Sequence, residues 1–279
     1  MNHLLIEEIV GRALQEDLGF GDITTDSIVP ASTQVRGLIH SKDYGVLAGI
    51  EVARRVFKHL DPQVTFIELK KDGQSLQPGD LIAEVFGSAR VVLSGERVAL
   101  NFLQRLSGIA TQTHRYVEKV KEYSAAIVDT RKTTPGLRIL EKYAVRMGGG
   151  GNHRFGLYDA VLIKDNHIKV AGGIKAAVER VRSQIPHTMK VEVEVESLEQ
   201  LEEALRVKAD IVLLDNMVPA LLRQAVEITG GRALLEASGG LTEDTIAEVA
   251  GTGVDLISVG ALTHSVKALD LSLDIGEKK

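Results

Sequence analysis

The stretch KVEVEVESLEQLEEALRVKADIVLLDN, residues 190–216, decides the fold of the C-terminal part of the chain. It holds two short runs rich in Val, Ile and Leu, at 190–197 and 210–216, and each run ends in polar residues. The segment between the two runs has its apolar residues at helical spacing. A strand, a helix and a second strand in this order are typical of a βαβ unit with parallel strands.

The same pattern recurs on both sides of this stretch. Further apolar segments that end in polar groups are AAIVDTRK (125–132), AVLIKDNH (160–167), ALLEASGG (233–240) and DLISVGAL (255–262). Nearly continuous apolar strands are typical of a parallel sheet covered by helices. The six strands predict either an α/β barrel with fewer than eight strands or a doubly wound open sheet. The small residues after the last strand favour the barrel, because barrels often hold a phosphate there.

The N-terminal part has a different pattern. Residues 3–16 have the spacing of an amphipathic helix, and short β-rich runs follow at 35–39, 64–69 and 81–85. Residues 94–122 are predicted to be helical, with an interruption at Ser107-Gly108. We place the domain boundary at this interruption, which gives an N-terminal domain of 1–107 and a barrel domain of 108–264.

Composition excludes several classes of protein. The 279 residues contain no cysteine, so disulfides, thiolate chemistry and cysteine-ligated zinc are excluded. The formal net charge of −5 gives no general attraction for nucleic acid. The chain has no apolar stretch of the roughly 18 residues that a membrane span needs. Its first residues carry acids where a signal peptide carries bases, so a cytoplasmic location is predicted.

The positive charges are concentrated in one segment. Residues 131–169 contain eight Lys or Arg residues against three acids, although the whole chain is acidic. Arg pairs with carboxylates and phosphates through two parallel hydrogen bonds, and Lys acts on either as a point charge. The segment therefore predicts a site for an anion.

Polar residues at the strand ends define this site further. In a parallel barrel the carboxyl ends of the strands meet at one rim, where barrel proteins build their sites. The predicted rim residues are Asp129, Thr130, Arg131, Lys132, Lys164, Glu194, Asp215, Ser238, Gly239, Gly240 and Gly260. Two carboxylates on neighbouring strands suit Mg²⁺, and glycine loops with free N–H groups accept phosphate. The predicted ligand is a polyanion with a phosphate and a metal ion.

Some features also have a purely structural interpretation. The four glycines at 148–151 form either a ligand cradle or a flexible loop. Arg138, Lys142 and Arg146 lie at helical spacing, which is typical of a solvated helix face. The dinucleotide, Walker A, zinc-protease and serine-hydrolase motifs are absent from the sequence.

A set of ordered motifs runs along nearly the whole chain. They are EDLG (16–19), GDIT (21–24), LSGIAT (106–111), DTRKTTPG (129–136), GGNHR (150–154), IKDNH (163–167), EVE (192–194), LDN (214–216), ASGG (237–240) and SVG (258–260). In these motifs the sequence resembles the quinolinate phosphoribosyltransferases, which are carboxylating nicotinate-nucleotide pyrophosphorylases.

The resemblance implies a fold and an activity. An N-terminal α/β sandwich would accompany an incomplete α/β barrel, and the tail at 265–279 would return to the first domain. The protein would be a homodimer that converts quinolinate and phosphoribosyl pyrophosphate to nicotinate mononucleotide, pyrophosphate and CO₂ with Mg²⁺. Two alternatives stay open. One is a related phosphoribosyltransferase that acts on another pyridine or azole acid, and the other is a non-catalytic barrel that binds sugar phosphates.

The resemblance also assigns roles to individual residues. The quinolinate carboxylates and nearby phosphate oxygens would be bound by Thr130, Arg131, Lys132, His153, Arg154 and Lys164. Arg105 would come from the partner subunit. Glu194 and Asp215 would hold Mg²⁺ and the ribose hydroxyls, and with Lys132 they would be the catalytic residues. The 5′-phosphate would lie against Ser238, Gly239, Gly240, Ser258, Val259 and Gly260.

Overall fold

The computed structural model describes residues 3–276 of the chain. In chain order its elements are α1 (His3–Leu18), α2 (Ile23–Ile28), β1 (Gln34–Ser41), β2 (Gly45–Val46), α3 (Ile50–Leu60), β3 (Thr65–Glu68), β4 (Ser75–Leu76), β5 (Leu81–Ser88), α4 (Ala89–Val120), β6 (Ala126–Val128), α5 (Arg138–Met147), β7 (Val161–Ile163), α6 (Asp165–Ala171), α7 (Ile174–Arg182), β8 (Val191–Val195), α8 (Leu198–Arg206), β9 (Ile211–Asp215), α9 (Pro219–Thr229), β10 (Leu234–Ser238), α10 (Ile246–Ala250), β11 (Leu256–Ser258), α11 (Ala261–His264) and β12 (Leu271–Ile275).

The chain forms two compact units. The first contains Met1–His114, Thr133–Gly149 and Ser265–Lys279, and the second contains Arg115–Lys132 and Gly150–His264. The sequence placed the boundary at 107 and 108, whereas the chain leaves the first unit inside α4. The segment 133–149, which carries α5, belongs to the first unit rather than to the barrel unit.

An antiparallel sheet forms the centre of the first unit. Its strand order is β12-β1-β5-β3, and α1 packs against α3 through one buried apolar face. The predicted strands at 35–39, 64–69 and 81–85 correspond to β1, β3 and β5, with shifted ends. The edge strand β12 comes from the tail, since Leu271–Ile275 pairs antiparallel with β1. The predicted tail at 265–279 ends with three residues that lie outside the described part of the chain.

The predicted interruption at Ser107-Gly108 is wrong, because α4 is one continuous helix across both residues. Gly108 is required by a close contact: a Cβ atom there would lie 2.3 Å from the carbonyl oxygen of Lys267. The Ser107 hydroxyl accepts a hydrogen bond from the backbone N–H of Ala48 at 3.0 Å. The small size of both residues, and the hydroxyl group of Ser107, let other backbone segments of the unit approach the helix.

The second unit is an incomplete α/β barrel of six parallel strands. Its strand order is β6-β11-β10-β9-β8-β7, so the last strand in sequence pairs with the first. A doubly wound sheet does not close in this way, and the prediction of a barrel is confirmed. Within residues 3–276 the ring is open only between β6 and β7, where Val128 and Gly151 form a single parallel bridge.

The four glycines at 148–151 have separate structural roles. A Cβ atom at Gly148 would lie 2.3 Å from the carbonyl oxygen of Ala110, and Gly149 has a φ of +90°. Gly151 makes the bridge to β6 described above. None of the four lines the cavity described below, so the ligand-cradle interpretation is not supported.

The prediction of a solvated face on α5 is wrong for Lys142. This residue is fully buried, as is its neighbour Glu141. Helical spacing identifies which residues share a face, but it does not show what covers that face. Within residues 3–276, no helix is both long and apolar enough to span a bilayer.

Candidate active site

One large cavity lies at the carboxyl ends of the barrel strands. Its volume is about 940 Å³. All but one of the predicted rim and site residues of the barrel unit line it, namely Thr130, Arg131, Lys132, His153, Arg154, Lys164, Glu194, Asp215, Ser238, Gly239, Gly240, Ser258, Val259 and Gly260. The exception is Asp129, which is fully buried. These residues follow or end all six strands, which explains how segments far apart in sequence meet at one place.

The loop after β6 is held from both sides. The Lys132 backbone N–H donates to the Thr130 hydroxyl at 3.0 Å, and the Thr263 hydroxyl donates to the Lys132 carbonyl at 2.7 Å. The pKa of Arg154 lies below its usual range. The main cause is burial, and the second is the like charge of the nearby Arg131. Crowded cations of this kind are stabilised by an incoming anion.

Lys164 and Glu194 form an ion pair inside the cavity. The distance between Lys164 Nζ and Glu194 Oε2 is 3.0 Å. The backbone N–H of Lys164 donates to Nδ1 of His167 at 2.9 Å, one turn into α6. His167 therefore orients the end of β7. This contact gives a structural role to the histidine that ends the motif IKDNH (163–167).

The ends of β9 and β10 fit together through Asn216, a residue that the sequence did not assign to the site. Its side-chain amide donates to Asp215 Oδ2 at 2.9 Å, and its backbone N–H donates to the Ser238 carbonyl at 2.9 Å. A Cβ atom at Gly239 would lie 2.1 Å from Asn216 Oδ1, and Gly239 has a φ of +106°. Glycine is thus required at 239 by both space and conformation. In the sequence, Asn216 could have been identified as a site residue by its position directly after Asp215 at a strand end.

Glycine at 260 gives room to two other cavity residues. A Cβ atom there would lie 3.1 Å from Lys132 Cδ and 3.2 Å from His264 Cδ2. His264 was also not predicted, because nothing in its local sequence distinguishes it from a surface histidine. The two glycine turns, after β10 and after β11, leave backbone uncovered on one side of the cavity.

His153 is held within the protein by both ring nitrogens. Its Nδ1 accepts the backbone N–H of Arg154 at 2.7 Å, and its Nε2 lies 3.1 Å from Glu192 Oε2. Since Nδ1 is an acceptor, the proton of the ring is on Nε2, which donates to the carboxylate. The backbone N–H of His153 donates to Asp129 Oδ1 at 2.9 Å. His153 is therefore a neutral residue that connects the cavity wall to its base.

Glu236 is the third cavity residue that sequence reasoning missed. Its side chain is buried, and its Oε1 lies 3.6 Å from His153 Nε2. Burial is the main cause that raises the pKa of Glu236 to about 7, and the nearby charges of Glu192 and Asp129 act in the same direction, while His153 and the Ser258 hydroxyl partly oppose them. In the sequence, Glu236 could have been identified because it lies two residues before Ser238. Residues two apart on a strand point to the same face, so both side chains lie on the inner face of β10.

Two groups of side chains could hold a metal ion. Glu194 and Asp215 line the cavity from neighbouring strands. The second group consists of His153, Glu192 and Glu236, whose ligand atoms lie within 4.8 Å of one another. In that group Nε2 carries a proton and cannot bind a metal, so Glu194 and Asp215 are the better pair.

Arg105 does not line the cavity and lies in the first unit. Its Nε and Nη2 atoms donate to Glu141 Oε1 at 2.9 and 2.6 Å, and Nη2 also donates to the Thr134 hydroxyl at 2.5 Å. The Thr134 backbone N–H donates to the other Glu141 oxygen at 3.1 Å. Glu141 and Thr134 thus hold the guanidinium in one orientation.

The fold and the cavity together define an α/β-barrel protein with a cavity lined by cations, carboxylates and glycine turns at its strand ends. Residues 22–107 match the model of the N-terminal domain of quinolinate phosphoribosyl transferase, and residues 109–274 match that of its C-terminal domain. The chain belongs to the quinolinate phosphoribosyl transferase family.

Individual relatives cover the whole chain. A probable nicotinate-nucleotide pyrophosphorylase (carboxylating) of Bacillus subtilis is 47% identical over 275 residues, which are 99% of this chain and 95% of the relative. The crystal structure of NadC from Streptococcus pyogenes has a TM-score of 0.95 and 45% identity, and covers 99% of both chains. The nicotinate-nucleotide pyrophosphorylase from Francisella tularensis has a TM-score of 0.95, 41% identity and coverage of 99% and 98%. The predicted fold class is thereby confirmed.

Proposed function

We propose that this protein is a decarboxylating quinolinate phosphoribosyltransferase. It transfers the phosphoribosyl group of phosphoribosyl pyrophosphate to the ring nitrogen of quinolinate, and it releases pyrophosphate and CO₂. The product is nicotinate mononucleotide, a precursor of NAD. The observation that carries this proposal is the convergence of the predicted barrel residues, with the exception of Asp129, on one cavity. The names of the full-length relatives support it.

The cavity matches the charges of the two substrates. Quinolinate is a dianion, and phosphoribosyl pyrophosphate carries phosphates at both ends of the ribose. Arg131, Lys132, Arg154 and Lys164 supply the cations that bring these mutually repelling molecules together. His153 is neutral in the structure, so we assign it a role in holding Arg154 and Glu192 rather than in supplying charge.

The chemistry needs charge stabilisation and positioning more than a strong base. As pyrophosphate leaves, ribose C1 becomes cationic, and the lysine and arginine side chains stabilise the departing negative charge. The pyridine nitrogen already has a lone pair, so no proton has to be removed before it attacks C1. Once bonded, the cationic nitrogen stabilises the electron pair that CO₂ leaves on the neighbouring carbon, and a proton from water then adds to this carbon to give nicotinate mononucleotide.

Mg²⁺ is part of the proposal, with Glu194 and Asp215 as the residues that would hold it. Mg²⁺ usually takes one or two protein carboxylates and completes its shell with water and phosphate oxygens, and these two side chains fit that requirement. When bound, the ion would neutralise charge on the pyrophosphate group. The same carboxylates can accept hydrogen bonds from the ribose hydroxyls.

The two glycine turns are proposed as the site of the 5′-phosphate. Their backbone N–H groups have no Cβ atom in front of them at Gly239, Gly240 and Gly260, and Ser238 and Ser258 add hydroxyl groups. Val259 fixes the second turn, since its backbone N–H donates to the Val128 carbonyl at 3.0 Å.

A homodimer in which Arg105 reaches the partner's cavity is also proposed. Its support is that Arg105 does not line the cavity of its own chain, although Glu141 and Thr134 hold its guanidinium in a defined orientation. Mixing an Arg105→Ala variant with a Lys132→Ala variant tests this arrangement. If Arg105 acts across the interface, subunit exchange restores activity to one of the two sites of a mixed dimer. Two variants that stay inactive after exchange contradict it.

The activity itself is tested with purified protein, quinolinate, phosphoribosyl pyrophosphate and Mg²⁺. Release of CO₂ and nicotinate mononucleotide with quinolinate, and not with nicotinate, is the expected result. Turnover with another pyridine or azole acid in place of quinolinate favours the related transferase. Binding of phosphoribosyl pyrophosphate without any turnover favours the non-catalytic barrel. A cytoplasmic location stays a prediction from the sequence.

A further inference from the structure

Two carboxyl groups are buried side by side at the base of the cavity. Glu236 is 2% exposed and Glu192 is 4% exposed. One oxygen of each, Oε1 in both cases, has no hydrogen-bond partner. A buried carboxylate oxygen without a partner is costly when the group is charged, and a bound proton relieves that cost.

The groups that face Glu236 come from every neighbouring element of the barrel. They are Glu192 on β8, Leu213 on β9, Ser258 on β11, Asp129 after β6 and His153 before β7. Within residues 3–276, His153 is the only basic side chain that forms an ion-pair contact with Glu236. His153 lowers the pKa of Glu236, but its Nε2 also faces Glu192, and this effect is smaller than the raising effects of burial and of the Glu192 charge.

Glu236 also lines the cavity in which the substrates are proposed to bind. A dianion placed there adds negative charge close to a buried carboxyl group whose Oε1 has no hydrogen-bond partner. In a poorly solvated site, such a like charge favours the protonated form of the acid.

We infer that binding of the pyridine dicarboxylate is coupled to the uptake of a proton by Glu236. The inference rests on the proposed function for the identity of the ligand. Its physical reason is that a proton on Glu236 removes one negative charge from the base of the cavity at the moment when the dianion arrives. Glu236 is then a residue that sets how much negative charge the cavity accepts.

The coupling has a definite sign. The pKa of Glu236 is already raised to about 7, so free protein at neutral pH is partly protonated there. The protonated form binds the dianion more tightly, and binding therefore raises the pKa of this group further. The dissociation constant for quinolinate should increase as the pH rises above 7, toward about tenfold per pH unit, because one proton is linked to binding.

Calorimetry of quinolinate binding to the full-length protein, without the second substrate, tests the inference. Titrations at pH 7.5 in Pipes, Hepes and Tris differ in the heat of buffer ionisation, and the slope against that heat gives the number of protons taken up. We expect wild type to take up a substantial fraction of one proton. Glu236→Gln should take up almost none, and its dissociation constant should be nearly independent of pH between 7 and 8.5. Glu202→Gln, the same change at an exposed position of α8, should match wild type.

Each outcome has one meaning. Wild-type binding without proton uptake, or uptake that Glu236→Gln leaves unchanged, overturns the inference while the proposed function stands. Absence of quinolinate binding overturns both. If Glu236→Gln does not fold, the wild-type measurements alone decide, because a dissociation constant that does not change between pH 7 and 8.5 contradicts the coupling.

Discussion

Lys164 Nζ lies 3.0 Å from Glu194 Oε2, at the ends of two adjacent barrel strands. Both residues line the cavity, where the lysine side chain is 47% exposed and the carboxylate is 12% exposed. Lys164 and Glu194 therefore pair with each other before any ligand arrives. Each also has a proposed ligand of opposite charge, which is quinolinate for Lys164 and Mg²⁺ for Glu194. The ion pair holds the ammonium group and the carboxylate in position, and a bound ligand would compete with this pairing for each of them.

Lys164→Ala should weaken quinolinate binding strongly. The change removes a cation from the cavity and leaves Glu194 unpaired beside the incoming dianion. We expect KM for quinolinate to rise by about 10-fold or more, since charge-assisted contacts contribute about 1.5–3 kcal/mol. Steady-state kinetics with either substrate varied measures this. Lys169→Ala, which removes an exposed lysine of α6, is the matched control and should leave KM unchanged. Equal KM values in both variants would contradict the role of Lys164.

Arg131→Ala should lose turnover while its fold stays intact. Arg131 lies on a loop that lines the cavity, so its removal takes away binding charge without opening the barrel core. Loss of one positioned donor to a developing negative charge costs about 100-fold or more in kcat. Circular dichroism establishes the fold, and kcat and KM establish the loss. Nearly normal kinetics in a folded variant would show that Arg131 does not contact the reacting groups.

Alanine at Gly239 and at Gly240 should have different effects. At Gly239 a Cβ atom would lie 2.1 Å from Asn216 Oδ1, whereas at Gly240, with a φ of +58°, no atom lies within 4 Å. Gly240→Ala should cost about 1–2 kcal/mol, the conformational strain alone. Gly239→Ala should cost more and should raise KM for phosphoribosyl pyrophosphate, because Asn216 is displaced. Thermal unfolding and kinetics of the two variants give the comparison, and similar losses in both would show that the contact with Asn216 is unimportant.

Glu236→Gln should change how stability depends on pH. The folded-state pKa of Glu236 is raised from 4.5 to about 7, so the folded protein holds a proton that the unfolded chain has lost between these values. The contribution of this group to the free energy of unfolding is therefore fully present below pH 4.5, and it is lost as the pH rises to about 7. Glutamine has no charge to bury, so the variant should gain about 1–3 kcal/mol relative to wild type between pH 5 and pH 8. Urea unfolding at both pH values measures the gain. A constant difference would show that Glu236 is not protonated in the folded state.

Glu141→Ala should destabilise the first unit. The carboxylate is fully buried and accepts two hydrogen bonds from Arg105, so its removal leaves a partly buried guanidinium without its counter-ion. Breaking a pair of this kind costs about 3–5 kcal/mol. Glu8→Ala, which breaks an exposed pair with Arg12, should cost less than about 1 kcal/mol. Denaturant midpoints compare the two, and equal shifts would show that the Arg105 pair contributes no more than a surface pair.

Local sequence was sufficient to locate most of the candidate site. The polar residues after each apolar run could be assigned to one rim because parallel strands in a barrel have their carboxyl ends on the same side. Arg131, Lys164, Glu194 and Asp215 needed no more than this rule. Local patterns failed where a side chain acts through a distant partner. Ser107-Gly108 resembled a helix interruption, and Lys142 resembled a surface residue, because the segments that cover them are far away in sequence.

The sequence by itself determined the strands, a first domain with a small sheet and the rim of cations and carboxylates, because strand periodicity and strand-end chemistry are local properties. Only the tertiary structure decided that β11 pairs with β6, which makes a barrel rather than an open sheet. It also decided that His153 is neutral and that Glu236 is buried beside Glu192. Protonation depends on burial and on charges contributed by several strands, and these are known only when the strands are packed together.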